Sequence, residues 1–152
     1  MNRWEGWPQD EALRNLLLGY FLNFARLEFA MKAGGFGAIQ YGAYQPSWRA
    51  FKEAMRGQPL PDGLKAAHQY LWDSPPNKQT DRHEWRPIEP RDDWAFVIDC
   101  VKTVRNNLFH GGKIPFRPNR DPELISQCDR ILLALVAHGP EDVARQFEVA
   151  AA

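Results

Sequence analysis

At 152 residues, with 19 basic and 19 acidic side chains, the chain has the length of one domain and no formal net charge. Neutrality excludes the global electrostatic footprint of a non-specific nucleic-acid coat protein, so RNA contact would need a local patch, for which Arg82, Arg86, Arg91, Arg117 and Arg120 are available. A hydrophobic share of 44%, with six Trp and nine Phe, excludes a disordered chain and predicts a single folded domain over 1–152.

In chain order, the first eight residues carry no signal-peptide pattern. Leu13, Leu16, Leu17, Tyr20, Phe21, Phe24, Leu27 and Met31 then recur at three- and four-residue spacing. They predict a long helix from Asp10 to Ala33, stopped by Gly34-Gly35. The glycine-rich stretch from Gly34 to Gln45 reads as a loop. Pro46-Ser47 caps a short second helix, Trp48 to Arg56, ended by Gly57. Pro59 to Gly63 is a turn, and a third helix runs from Leu64 to Trp72. From Asp73 to Arg91 prolines are frequent and no periodicity is usable, which reads as a long functional loop or a mobile lid. A fourth helix follows from Asp92 to His110, with Gly111-Gly112 as its stop. Asp121-Pro122 opens a fifth helix to His138, Gly139-Pro140 breaks it, and Glu141 to Val149 forms the last. The product is an all-α bundle of five to six helices.

Apolar stretches are interrupted by Arg, Asn and Glu, so no membrane span is expected and the cytoplasm is the expected compartment. Cys100 and Cys128 each sit inside an apolar helical pattern, as reduced core thiols do. No CxxC pair, phosphate-cradling glycine loop or dinucleotide fingerprint is present. His68 with Asp73, and Arg82-His83-Glu84, include metal-capable types without ligand spacing, and read as surface.

Chemistry concentrates in Val104-Arg105-Asn106-Asn107-Leu108-Phe109-His110-Gly111. Arg carries a permanent charge on a planar fork suited to phosphate oxygens. His moves protons near neutral pH. The two are about 140° apart on a regular helix, so they do not share one face. Arg105 falls inside the apolar stripe, where a cation needs a partner. Glu28, on the apolar side of the first helix, is the expected partner of Arg105 or His110. The bland alternatives are a Glu28 that reaches water, a His110 that simply caps its helix, and a frayed turn at Asn106 and Asn107.

The run from Arg105 to Gly111 resembles the signature of the HEPN superfamily, small helical bundles with Arg, usually a polar residue, then His four to six residues on. Pro75-Pro76-Asn77-Lys78-Gln79, ahead of the motif helix, is similar to segments of bacterial members. The resemblance implies a metal-independent endoribonuclease without cofactor, acting as a toxin or phage-defence effector. Arg105 and His110 would be catalytic, with Asn106 assisting, and Glu28 and Asn107 supporting. It also implies a homodimer whose two motifs line one cleft, and an antitoxin or regulatory protein as a further partner. A Tyr that often follows the motif His in toxins paired with a nucleotidyltransferase is replaced here by Gly111-Gly112-Lys113, so modification of such a Tyr is not implied.

In the implied reaction the RNA 2′-hydroxyl attacks the adjacent phosphorus and leaves a 2′,3′-cyclic phosphate. Lys113 and Arg117 are candidate phosphate contacts, and Trp85 is a candidate stacking surface for a base. The competing readings are a non-catalytic HEPN-like module that binds RNA, nucleotide or a protein, and a structural role in which Arg105 and Glu28 form a buried pair.

Overall fold

The computed structural model describes residues 10–109 and 120–151. Helix α1 spans Glu11–Ala33, and Asp10 caps it, its carboxylate accepting from the Leu13 N–H at 2.8 Å. Leu17, Tyr20, Phe24, Leu27 and Met31 form its buried stripe. The Gly34 backbone lies against the start of the last helix, where a Cβ would sit 3.1 Å from Asp142 and Val143 backbone atoms. Gly35 takes φ 93°, which only glycine adopts freely.

The loop expected from Gly34 to Gln45 is instead a β-hairpin. Strand β1 (Gly37–Gln40) pairs antiparallel with β2 (Ala43–Pro46). Tyr41 and Gly42 both have positive φ, 51° and 76°, as a two-residue turn matched to strand twist requires. Helix α2 (Trp48–Met55) follows, with the Ser47 hydroxyl accepting from the Ala50 N–H at 3.2 Å and Gly57 turning the chain at φ 81°. A single 3₁₀ turn at Asp62–Leu64 leads into α3 (Lys65–Asp73).

The segment from Asp73 to Arg91 holds a second hairpin, β3 (Asn77–Asp81) against β4 (Glu84–Pro87). Every residue of both strands is exposed, so neither face carries the apolar alternation that marks a half-buried strand. Helix α4 (Trp94–Phe109) begins where the Asp93 carboxylate accepts from the Phe96 N–H at 2.8 Å. Helices α5 (Asp121–His138) and α6 (Glu141–Val149) complete the described chain. The fold is thus mainly helical rather than all-α, with two small antiparallel hairpins added to six helices among the described residues.

Helix α1 packs against α5 and α6, α4 packs against α5, and α2 and α3 close the sides. Polar ties fix these contacts. The Tyr20 phenol donates to the Val101 carbonyl at 2.6 Å, joining α1 to α4 inside the core. Asn23 donates to Asp129 at 3.0 Å, and Arg26 donates to the Phe147 carbonyl at 2.6 Å while its guanidinium stacks on that ring. Cys100 and Cys128 are buried free thiols whose pKa values burial pushes up, so both stay neutral. Among the described residues no helix is long and apolar enough to cross a membrane.

Gly139 is a position where size is decisive. A Cβ there would lie 2.3 Å from the Leu135 carbonyl oxygen and 3.3 Å from the Phe51 ring. Gly139→Ala is therefore expected to destabilise the fold by about 1–3 kcal/mol, read as a lower midpoint in urea unfolding with an unchanged slope.

Candidate functional site

Sequence logic places the chemistry at the tail of α4, and the structure divides that tail between two sides. Arg105 lies toward α1. Its guanidinium carbon sits 5.3 Å from the centre of the Phe24 ring and 4.7 Å from that of Phe109, and Phe109 stands edge-on to Phe21. Its side-chain hydrogen bond goes to the neighbouring Asn106 carbonyl oxygen at 3.2 Å. Arg105 is half-buried and Asn106 is exposed.

Of the two partners expected for Glu28, His110 lies outside the described residues and Arg105 is corrected. Glu28 accepts from the Trp48 indole N–H at 2.9 Å, and among the described residues no carboxylate pairs with Arg105. A buried indole N–H needs an acceptor, and the carboxylate is its acceptor here. Arg105 keeps its cation in place by lying on two aromatic faces, which suits a planar guanidinium.

One turn earlier on α4, Lys102 was not foreseen as a site residue. It is partly buried, and its ammonium lies 5.7 Å from the Trp48 ring centre. Burial lowers its pKa, and the nearby Lys52 lowers it further, while Asp99 and Glu28 act the other way. Lys102 and Arg105 thus bring two cations to one stretch of helix surface, beside the Asn106 amide. The run Asp99-Cys100-Val101-Lys102 carried a signal that was available: a lysine one helical turn before a motif arginine.

The sign of the Lys102 effect on stability follows from linkage. The unfolded chain binds this proton more tightly than the folded chain, so the charge opposes folding at neutral pH. That opposition fades as pH rises through the lowered folded value towards the ordinary lysine value. Lys102→Met is therefore expected to raise the melting temperature at pH 7, with the gain shrinking in alkali. Thermal denaturation at pH 7 and near pH 10 checks this.

Asn107 lies on the other side of α4. Its amide nitrogen donates to the Asn77 carbonyl at 2.8 Å, docking the β3–β4 hairpin onto the helix. Between hairpin and helices lies a cleft of about 390 Å³. Pro76 and Asn77 contribute from the hairpin's entry and Trp85 from β4; Val104, Asn107 and Leu108 come from α4. At the start of α5, Arg120, Asp121, Leu124 and Ile125 complete it. The Arg120 guanidinium donates to the Pro75 and Ser74 carbonyls at 3.0 and 3.4 Å, which pins the turn that leads into β3. Its Nε is buried without a hydrogen-bond partner among the described residues.

Trp85, expected as a stacking surface in a loop, is therefore a strand residue on the wall of a formed cleft, and it is partly exposed. His110, Lys113 and Arg117 lie outside the described residues. His68 and Asp73 do not converge. His68 bonds the Arg91 carbonyl at 2.9 Å, and Asp73 accepts from Gln69. No protein-family model, curated protein or solved structure matches this chain.

Proposed function

We propose that the protein is a metal-independent endoribonuclease of the HEPN kind, with Arg105 and His110 as its catalytic pair and Asn106 as their orienting neighbour. The observation that carries this reading is the state of Arg105. Among the described residues no carboxylate neutralises Arg105. Arg105 instead rests on Phe24 and Phe109 and is half open to solvent, and among the described residues its side-chain hydrogen bond goes to Asn106. That leaves its charge free to meet a phosphate.

In this reading His110 takes the proton of the 2′-hydroxyl or gives one to the departing 5′-oxygen. Arg105 stabilises the charge that builds on the phosphorane-like transition state, and Lys102 adds a second cation nearby. Asn106 holds the guanidinium in orientation through its carbonyl oxygen. Lys113 and Arg117 are the proposed phosphate contacts along the strand.

Two copies of the chain are proposed to pair so that their motifs face one another. Outward apolar side chains support this: Leu18, Leu22 and Phe29 on α1 and Phe109 beside Arg105 are exposed, Leu22 at 69% and Phe109 at 61%. A role as a toxin or phage-defence effector, restrained by an antitoxin or regulatory protein, completes the proposal.

The test is a cleavage assay in chelator with an RNA oligonucleotide and its all-deoxy counterpart. Cutting of the RNA alone, with 2′,3′-cyclic phosphate ends, is the expected result. Cutting of both strands, or 5′-phosphate ends, contradicts the mechanism. In cells, the same reading expects growth arrest on induced expression that disappears with the cleavage-deficient variants.

A further inference from the structure

The cleft beneath the β3–β4 hairpin is separate from the Arg105 face, and its chemistry is different. At about 390 Å³ it lies within the usual size range of small-ligand sites. Its apolar surface comes from aliphatic groups, including Leu108 and Leu124, and from the Trp85 indole. Its polar side chains are the Asn77 and Asn107 amides, the Arg120 guanidinium and the Asp121 carboxylate. Asn107 uses its amide nitrogen on the Asn77 carbonyl, which fixes its orientation and leaves its own carbonyl oxygen as an acceptor. The Asn77 side-chain amide offers both a donor and an acceptor.

An apolar slot with an aromatic wall and oriented amides is what a flat heterocycle with a hydrogen-bonding edge requires. A simple anion would find less here, because the Asp121 carboxylate shares the lining with Arg120, whose Nη2 is bonded to two backbone carbonyls. A cation that could follow a phosphodiester lies just outside. Lys78 is the next residue in β3 after Asn77 and is exposed. Asn107, on the cleft side, is also the chain neighbour of Asn106, on the Arg105 side. A strand held at Arg105 reaches this opening by passing around α4, because Arg105 and Asn107 are about 200° apart on the helix.

We propose that this cleft is a nucleobase-binding subsite, with Trp85 and Leu108 giving apolar surface to the ring and the Asn77 and Asn107 amides meeting its edge. It rests on the ribonuclease reading in one respect only: the base belongs to the RNA strand being cut. Bound there, one nucleotide sets the register of the strand and so the linkage presented to Arg105.

Calorimetric titration of the full chain with 3′-AMP, 3′-GMP, 3′-CMP and 3′-UMP, and with ribose 5-phosphate, tests the proposal. At least one nucleotide is expected to bind at least about tenfold more tightly than ribose 5-phosphate. Trp85→Ala is expected to weaken that binding by roughly 5- to 100-fold, the loss typical of a removed stacking ring. Asn107→Ala, made beside it, is expected to weaken it in the same direction, with circular dichroism confirming that both variants are folded. Ribose 5-phosphate binding as tightly as every nucleotide, or wild-type affinity in both variants, overturns the subsite. Binding is read without cleavage, so a protein that binds nucleotides yet never cuts RNA keeps the subsite and loses the ribonuclease. In a cutting protein, Trp85→Ala is expected to change the preferred cleavage positions on a mixed-sequence RNA. An unchanged pattern overturns the assignment of the base to the RNA strand.

Discussion

Arg105→Ala is expected to lower the RNA cleavage rate by about 10²–10³-fold and to leave the protein folded. On the proposed mechanism, the loss is that of a donor aimed at charge that develops in the transition state. The fold should tolerate it because no carboxylate is left unpaired: Glu28 stays bonded to Trp48. What goes is the contact of the guanidinium with Phe24 and Phe109, worth about 0.5–1 kcal/mol each at a partly exposed site. Had Arg105 been half of a buried ion pair, the same change would cost about 3–5 kcal/mol. Arg105→Lys separates charge from shape. It keeps the cation but not the planar fork, so it should recover only part of the rate. Initial rates on a labelled RNA, with melting temperatures of the same preparations, read both effects. Wild-type cutting by folded Arg105→Ala protein contradicts the role given to this residue.

The largest loss of stability is expected at Tyr20. This side chain is fully buried and lies among Phe21, Phe24 and the α4–α5 contact. Its hydroxyl donates to the Val101 carbonyl, four residues before Arg105, and so couples α1 to the helix that presents the motif. Burial holds its pKa well above the ordinary value, so the phenol remains a neutral donor through the working pH range. Tyr20→Ala removes a large ring from a packed core and should cost about 3–5 kcal/mol. Tyr20→Phe keeps the ring and loses the hydrogen bond, at about 0.5–1.5 kcal/mol. Denaturant unfolding of the three proteins gives both numbers. Equal stability of Tyr20→Ala and the parent would mean that the Tyr20 ring does not fill the core and tie α1 to α4 as described.

The helices were readable because their ends are local chemistry. Asp10 and Ser47 cap their helices through side-chain oxygens three residues from the amides they satisfy. Gly34-Gly35, Gly57 and Gly139-Pro140 stop helices within a residue or two of where composition alone places the break. The hairpins were hidden for two different reasons. In β1–β2 the turn residue Tyr41 takes φ 51°, a conformation that Asn or Asp would have announced and Tyr does not. In β3–β4 both faces meet solvent, so the sequence has no reason to alternate.

The candidate site divides along the same line. The Arg105-to-His110 run is contiguous and could be read directly. The partner of Glu28 could have been found from Trp48, whose indole nitrogen had to bond something once the ring was buried. Spacing within α1 and α4 instead pointed Glu28 at Arg105 or His110. The cleft could not be seen in the sequence. It is assembled from residues near 76–85, 104–108 and 120–125, and only the docking of the hairpin through Asn107 brings them together.

The most direct test of the account is the rate of RNA cleavage in chelator by the purified chain and by its His110→Ala variant, side by side. The expected result is cutting by the parent, with cyclic phosphate ends, and a loss of at least about 10²-fold in the variant. Equal rates in the two proteins, or no cutting by the folded parent on any RNA, would contradict it.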